Sequence, residues 1–192
     1  MPVYVSRTEA ASILQSARRV LVIGCSGVGK TTLSLRLSAA LNLTYQSIDR
    51  DVRWLPGWQV RDRGAQRAIL ERLVAQDRWV MDGSNPSTFD LRLPRADLIL
   101  WLRLSRWAAL FGVGRRVLAN YGRVRVAMAE GCPEPFPDRE FLHYIWAFER
   151  VTAPRFIERI DRFGAHVPVC ELASHKAVAA LLADMERADT CG

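Results

Sequence analysis

Apolar runs alternate with amphipathic stretches along most of the chain, a pattern typical of an α/β domain. Residues 20–23 read Val-Leu-Val-Ile, and an unbroken apolar run of this length predicts a strand buried on both faces of a parallel sheet. Similar short runs predict four more strands, at Thr44–Ile48, Trp79–Met81, Ala96–Leu102 and Val167–Cys170.

Apolar residues at helical spacing predict helices between these strands. The predicted helices are Thr32–Leu41, Arg61–Gln76, a helix capped by Ser105 that runs to about Leu118, and a last helix with Val178, Leu181, Leu182 and Met185 on one face. Phe141, Ile145 and Phe148 indicate a further helix, interrupted near Pro154. Residues 119–137 are rich in Gly and Pro and predict a loop.

Length and composition suit a single globular domain over residues 1–192. Apolar residues make up 49% and charged residues 24%, which argues against bulk disorder. No apolar run approaches the ~18–20 residues that cross a bilayer. Residues 1–19 carry several charges and no apolar core of a signal peptide, so we expect a cytoplasmic protein.

Cysteine spacing and net charge exclude few classes of function. Four cysteines, at Cys25, Cys132, Cys170 and Cys191, show no paired metal-ligand spacing and no disulfide framework, so we expect free thiols. Lys and Arg number 27 against 20 Asp and Glu, for a formal net charge of +7. That charge suits nucleic acid as well as a phosphorylated small molecule, and it does not separate the two.

The strongest motif follows the first predicted strand and precedes a predicted helix. Residues 24–31 match the phosphate-binding loop G-x-x-x-x-G-K-[ST] at every fixed position. Glycines let successive N–H groups point at a phosphate, and the positive end of the helix dipole adds to that field. The residues expected to bind ATP are Gly24, Cys25, Ser26, Gly27, Val28, Gly29, Lys30, Thr31 and Thr32.

Two side chains of this loop carry chemistry of their own. The chain has 25 Arg but only two Lys, so the Lys at position 30 marks a place where Arg does not fit. A compact ammonium reaches the β- and γ-phosphates, where a broad guanidinium is too large. Thr31 offers a hydroxyl to Mg²⁺, which binds mostly through phosphates and water. We therefore expect ATP and Mg²⁺ as ligands.

Two carboxylates follow predicted strands. Asp49 ends the second strand and Asp82 ends the third, so both should meet the phosphate loop at the carboxyl edge of the sheet, where open α/β sheets bind ligands. An Asp at a strand end is also a common turn or cap residue, and that interpretation stays open for each of them.

With these residues the chain resembles P-loop nucleotide kinases, and most closely the bacterial FlaR or topology-modulation group, often described as adenylate-kinase-related. The likeness rests on residues 24–32, Asp49, Trp54–Trp58, Trp79–Gly83, Leu91–Asp97, Glu130–Glu134 and the aromatic helix around Tyr144–Arg150. The resemblance implies a P-loop NTPase three-layer sandwich with a five-stranded parallel sheet in the order 2-3-1-4-5. It also implies a lid insertion at about residues 115–137.

The resemblance implies roles for several polar residues. Asp82 would hold Mg²⁺ through water, and Asp49 would orient the acceptor hydroxyl. In Gly114-Arg115-Arg116, Arg115 would grip the γ-phosphate; further candidates are Arg123, Arg125, Arg150 and Arg155. Adenylate kinases follow the Asp-Gly of the third strand with Phe-Pro-Arg, whereas this chain has Ser84-Asn85-Pro86, so an AMP acceptor does not carry over. Trp54 and Trp58 either line the acceptor pocket or pack in the core.

We therefore expect an ATP-dependent kinase of a small molecule, with a nucleoside or nucleotide among the candidate acceptors. Lys30, Asp49 and Arg115 are the predicted catalytic residues, and Thr31 and Asp82 the predicted metal ligands. The alternative is an NTP-binding regulatory protein that modulates DNA topology. Asp49 favours the enzyme, because a nucleotide switch needs no carboxylate at an acceptor site, and the sequence shows no helix-turn-helix or dense basic tail. Neither the acceptor nor the oligomeric state follows from the sequence.

Overall fold

A computed structural model describes residues 1–190, with side chains as far as Arg187, and Cys191 lies outside the described residues. Six parallel strands form one central sheet in the spatial order β1-β8-β7-β2-β6-β3. These strands are β1 (Val3–Tyr4), β2 (Arg19–Gly24), β3 (Thr44–Ser47), β6 (Trp79–Asp82), β7 (Leu98–Leu102) and β8 (Pro168–Leu172), and β4 (Trp54–Leu55) pairs with β5 (Gln59–Val60) in a separate antiparallel hairpin.

The predicted fold class is confirmed, with one addition. The five predicted strands lie in the order 2-3-1-4-5, and β1 extends the sheet by a sixth strand beside β8. Residues 20–23 of β2 are completely buried, as are all five residues of β7 to within 1%. Helices therefore cover both faces of the sheet at its centre, as the unbroken apolar runs indicate.

Within residues 1–190 seven α-helices surround the sheet: α1 (Arg7–Ser16), α2 (Lys30–Leu41), α3 (Arg63–Val74), α4 (Phe89–Arg92), α5 (Arg106–Asn120), α6 (Arg139–Phe163) and α7 (His175–Thr190). The sequence analysis did not foresee α1, although Ser6 and Glu9 form a capping box at its start. α3 begins two residues later than predicted, because the side chain of Asp62 accepts hydrogen bonds from the amides of Gly64 and Ala65.

The predicted interruption at Pro154 was wrong, because α6 runs unbroken through that residue. A proline inside a helix costs about 3 kcal/mol. The apolar face of α6 is buried on both sides of the proline, which offsets that cost; its buried residues are Ile145, Phe148, Ala153, Phe156 and Ile160.

The segment between α5 and α6 folds over the β4–β5 hairpin, and we call residues 121–138 the lid. Its residues Met128, Ala129 and Cys132 are buried in a small apolar cluster that is separate from the main core and includes Trp54 and Trp58 of the hairpin. The amide of Gly57 donates to the carbonyl of Gly131 at 3.1 Å. The lid is therefore docked on the hairpin.

The cysteines and the helices can be compared with the expectations of free thiols and of no membrane-spanning segment. Cys25, Cys132 and Cys170 are buried free thiols. Among the described helices, none combines the length and the apolar character needed to span a bilayer.

Candidate active site

The phosphate loop connects β2 to α2 at the carboxyl edge of the sheet. Gly27 and Gly29 have φ angles of +84° and +95°, conformations that L side chains rarely adopt. Gly29 caps α2 without a side-chain hydrogen bond, so the amides of the first helical turn remain available to an anion. The backbone has the shape of a phosphate cradle.

Lys30 extends from the first turn of α2 back over this loop. Its Nζ donates to the carbonyl oxygen of Cys25 at 2.7 Å. Desolvation lowers the pKa of Lys30, and the nearby carboxylates of Asp82 and Asp49 oppose that shift. The ammonium is therefore held inside the loop, where phosphates would meet it.

Thr31 and Asp82 meet directly, as the predicted metal site requires. The Thr31 hydroxyl donates to Oδ2 of Asp82 at 2.7 Å, and the Tyr45 hydroxyl donates to the same oxygen at 3.1 Å. No group of three or more His, Cys, Asp or Glu in the described part of the chain could hold a metal by itself. Mg²⁺ commonly takes one or two protein oxygens and completes its shell with water and phosphate, so this pair fits that ion.

Asp82 is buried, and its surroundings shift the pKa of its carboxyl in opposite directions. Burial raises the pKa of its carboxyl, while the hydrogen bond from Thr31 and the charge of Lys30 lower it. The net shift is upward. A cation beside this carboxylate would relieve the cost of burying its charge.

Asp49 lies not in a strand-end loop but in a π-helical turn, Ile48–Arg53, that follows β3. Its side chain is exposed and makes no ion pair with any residue the structure describes. The neighbouring Asp51, in contrast, accepts the amide of Ser47 at 2.7 Å and pairs with Arg50. The start of the turn is thus capped by Ser47, whose hydroxyl accepts the amide of Arg50, together with Asp51, and Asp49 is left to line the cavity.

Arg116, not Arg115, is the arginine that reaches the phosphate loop. Its Nη1 donates to the Ser26 hydroxyl at 3.1 Å, and its Nε donates to Glu134 at 2.7 Å. Arg125 of the lid donates through its own Nε to the other oxygen of Glu134. Arg115 is exposed and does not line the cavity. Desolvation lowers the pKa of Arg116, and Glu134 opposes this shift.

The other arginines predicted to reach the γ-phosphate also differ in whether they line the cavity. Arg155 of α6 lines the cavity, whereas Arg123 and Arg150 are exposed and do not line it. Arg53, which the sequence analysis did not single out, also lines the cavity and stacks over the Trp54 ring at 4.9 Å.

One cavity of about 870 Å³ is lined both by the phosphate loop and by the turn after β3. Gly24, Ser26 and Lys30 line it from the loop, and Asp49 lines it from the turn. Trp54 and Trp58 line it and also pack against each other in the small apolar cluster, with ring centroids 5.2 Å apart; their contact with an acceptor stays a prediction. The lid contributes Arg125, Met128 and Glu134.

The sequence analysis also missed Ser84, which lines the cavity, and Arg92, which is buried behind the segment after β6. The Ser84 hydroxyl accepts the amide of Gly24 at 2.9 Å and donates to its carbonyl at 2.6 Å, which ties the phosphate loop to the segment after β6. Arg92 is fully buried and donates to the carbonyls of Gly83 and Asn85, both at 2.7 Å. Burial lowers the pKa of Arg92 to about 9. Two features of the sequence could have identified these residues. Ser84 begins the Ser-Asn-Pro that stands where adenylate kinases have Phe-Pro-Arg, and Arg92 is a charged residue between Leu91 and Leu93.

Solved structures with a similar fold include shikimate kinases. The shikimate kinase from Acinetobacter baumannii in complex with shikimate shares 14% identity over 94% of this chain and 97% of its own, with a TM-score of 0.58. Those from Bacteroides thetaiotaomicron (15% identity, 89% and 97% covered, TM-score 0.49) and Aquifex aeolicus (14%, 91% and 99%, 0.46) are also similar. No family model and no curated protein sequence matches the chain.

At this level of identity the likeness establishes the fold. The chain has an α/β fold with a mostly parallel central sheet, similar to that of the Acinetobacter baumannii enzyme. The resemblance to the FlaR or topology-modulation group, the DNA-related alternative and the roles of the site residues are not tested by these comparisons. Those points stay predictions.

Proposed function

We propose that the protein is an ATP-dependent kinase that transfers the γ-phosphoryl group to a hydroxyl of a small molecule. The observation that carries this proposal is that one cavity is lined by both Lys30 of the phosphate loop and Asp49 of the turn after β3. Phosphoryl transfer requires mainly positioning and charge neutralisation, and a cavity of about 870 Å³ has room for a triphosphate beside an acceptor.

The phosphate loop forms the ATP end of the cavity. Backbone amides from Ser26 to Thr31 would hold the phosphates, and Lys30 would exchange the carbonyl of Cys25 for phosphate oxygens. Thr31 and Asp82 would hold Mg²⁺, whose charge neutralises the β- and γ-phosphates. Ser84 supports the start of the loop from the neighbouring segment.

Asp49 forms the acceptor end. An exposed carboxylate without an ion pair can orient an acceptor hydroxyl and take its proton as it attacks the phosphorus. Trp54, Trp58 and Tyr144 give this end apolar walls, suited to the body of a small organic acceptor.

Arg116 and Arg125 take the role first assigned to Arg115. Both line the cavity and share the buried carboxylate of Glu134, so two positive charges meet one negative charge beside the phosphate loop. The remaining positive charge would stabilise the transferring phosphoryl group. Arg115 points to solvent on the other side of α5.

The acceptor class is tested by a screen with γ-labelled ATP, Mg²⁺ and the purified protein. Nucleosides and nucleotides form one panel, and cyclic or linear hydroxy acids form a second, because the similar structure from Acinetobacter baumannii holds shikimate. Lys30→Ala is the control for contaminating kinases. Transfer by the wild type that is absent from the control supports the proposal, and no transfer to any acceptor together with ATP binding would favour a nucleotide switch.

A further inference from the structure

α5 carries a stripe of large apolar side chains on its solvent side. Trp107, Phe111 and Leu118 are 65%, 75% and 88% exposed, and Tyr121, directly after the helix, is 66% exposed. With Gly114 these residues alternate at spacings of four and three, which places them in one line along a helix; we call Trp107, Phe111, Gly114, Leu118 and Tyr121 the α5 seam. The opposite side of α5 is buried in the core through Ala109, Val113 and Val117.

The apolar surface continues from the seam onto α6. The rings of Trp107 and Trp146 contact each other at right angles, with centroids 5.3 Å apart. Trp146 is 43% exposed, and Leu142, one turn before it, is 39% exposed. Single exposed apolar residues are ordinary, but a contiguous patch of this kind usually marks an interaction site.

We propose that the α5 seam is the contact between two copies of this chain, paired antiparallel about a two-fold axis near Gly114. The seam is nearly symmetric about that residue. An antiparallel pair sets Phe111 of each copy against Leu118 of the other, and Trp107 against Tyr121, so large side chains face large side chains throughout. Nothing lies within 4 Å of the position a Cβ would take at Gly114, so the helices can approach closely at the axis.

The exposed area is sufficient for such a pair. An aromatic side chain carries ~150–250 Å². At the observed exposures the three aromatic residues and Leu118 present on the order of 500 Å² per copy, hence on the order of 1,000 Å² for a pair, which is where specific interfaces begin. Leu142 and Trp146 add to this area from α6.

The charge near the α5 seam gives a way to distinguish a second copy of the chain from a polyanion or an anionic membrane as the partner. Arg115 lies beside the seam and is exposed. An antiparallel pair centred on Gly114 brings the two copies of Arg115 close to the axis on the same side, where they repel each other. Added salt screens this repulsion, so self-association should hold or strengthen with salt. Binding to anionic vesicles or DNA weakens with salt.

Sedimentation equilibrium of the full chain at low and high salt tests the proposal. We expect a concentration-dependent dimer that persists at high salt. Phe111→Glu should raise the dimer Kd ~30-fold or more, as loss of a central apolar contact does. Val60→Glu, at a site 58% exposed on the hairpin and outside the seam, should leave the Kd unchanged. A wild type that stays monomeric at about 100 μM overturns the proposal.

Cysteine cross-linking locates the axis independently of affinity. In a Cys191→Ser background, Gly114→Cys should form an intermolecular disulfide on mild oxidation, because two-fold pairing brings these positions within bridging distance, about 7 Å or less between Cα atoms. Ala119→Cys, exposed on the same helix but off the seam, should stay unlinked. Equal cross-linking at both positions, or binding of a monomer to phosphatidylserine vesicles through Phe111, would overturn the pairing.

Discussion

Gly112 of α5 packs its bare backbone against the carbonyl oxygen of Gly27 in the phosphate loop. A Cβ at Gly112 would lie 2.0 Å from that oxygen, and a Cβ at Gly27 would lie 2.2 Å from the carbonyl oxygen of Ala109. Two glycines therefore allow the backbones of α5 and the loop to meet without side chains between them. The helix that carries Arg116 is positioned by this contact.

Gly112→Ala should disturb the phosphate loop through this contact. The added methyl group must displace the backbone of Gly27 or of α5, so we expect a loss of ~1–3 kcal/mol in the free energy of unfolding and a clear loss of Mg·ATP affinity. Gly114→Ala is the matched control on the same helix, since its Cβ meets nothing within the chain, and both variants are compared at dilution, where the α5 seam is unpaired. The control should gain ~0.5–1 kcal/mol from helix propensity and keep its affinity. Urea unfolding and calorimetric titration measure both, and equal behaviour of the two variants would contradict the steric argument.

Lys30→Ala and Lys30→Arg should both abolish phosphoryl transfer while the fold is retained. The ammonium is enclosed by the loop and donates to the carbonyl of Cys25, so a guanidinium does not fit in its place. Loss of a cation at the transferring phosphates should lower turnover on the order of 10²-fold or more. Single-turnover assays check this, with circular dichroism as the control for folding. Near-wild-type turnover of folded Lys30→Ala would refute the assignment of the loop.

Asp49→Asn should separate acceptor chemistry from ATP binding. Because Asp49 has no hydrogen bond or ion pair to the Thr31–Asp82 pair, calorimetric Mg·ATP affinity should change far less than transfer, which should fall by roughly 10²–10⁴-fold, the usual contribution of a positioned base. Asp82→Asn should instead raise the Mg²⁺ concentration needed for half-maximal rate with every acceptor. The reverse pattern would exchange the two roles.

Asp82→Asn should also stabilise the ligand-free protein at neutral pH. Burial raises the pKa of Asp82 above its unfolded value, so its contribution to stability is complete below the unfolded pKa of about 3.9 and is lost as the pH rises through the raised folded pKa. The amide cannot ionise but can still accept from Thr31 and Tyr45. We expect thermal unfolding to show equal stabilities near pH 3.5 and a gain of ~1 kcal/mol for the variant at pH 7. If the variant instead matches the wild type at pH 3.5 but unfolds more easily than the wild type at pH 7, the ionised carboxylate stabilises the fold and the prediction is wrong.

Glu134→Gln should slow transfer while tightening nucleotide binding. Glu134 holds Arg116 and Arg125 by their Nε atoms, and Nη1 of Arg116 reaches the Ser26 hydroxyl in the phosphate loop, so the guanidinium is aimed at the place of the phosphates. The neutral amide can accept from only one of them, so the arginine geometry is lost and kcat should fall ~10-fold or more. One negative charge fewer beside the triphosphate should lower the Kd for Mg·ATP. A purely structural role would weaken binding and turnover together, and Arg115→Gln is the control expected to change neither.

The sequence predicted those features whose cause is local. The apolar runs of β2 and β7 and the glycine pattern of residues 24–31 determine the strands and the loop by themselves, and both are found where expected. The capping box at Ser6 and Glu9 was equally local, but its helix was not predicted. Pro154 was misjudged because the packing of α6 on the core, a long-range effect, outweighs the local cost of a proline.

The choice between Arg115 and Arg116 depends on how α5 is rotated against the core. Successive residues on a helix differ by 100°, so adjacent arginines face different surroundings. Burial of Val113 and Val117 turns Arg116 towards the cavity and Arg115 towards solvent. The pairing of Arg116 with Glu134 joins residues 18 positions apart across the lid, and no periodicity in the sequence encodes it.

The docking of the lid on the hairpin bears on the order in which ligands exchange. The Sγ of Cys132 accepts from the amide of Trp58 and donates to the carbonyl of Leu55, both at 3.3 Å, so the lid and the hairpin share one small core. If the nucleotide of the proposed reaction enters past the lid, breaking this core would also loosen Trp54 and Trp58 in the cavity wall. A single gate would then serve both ligands, and escape of the second product would wait on the same motion that admits the next nucleotide.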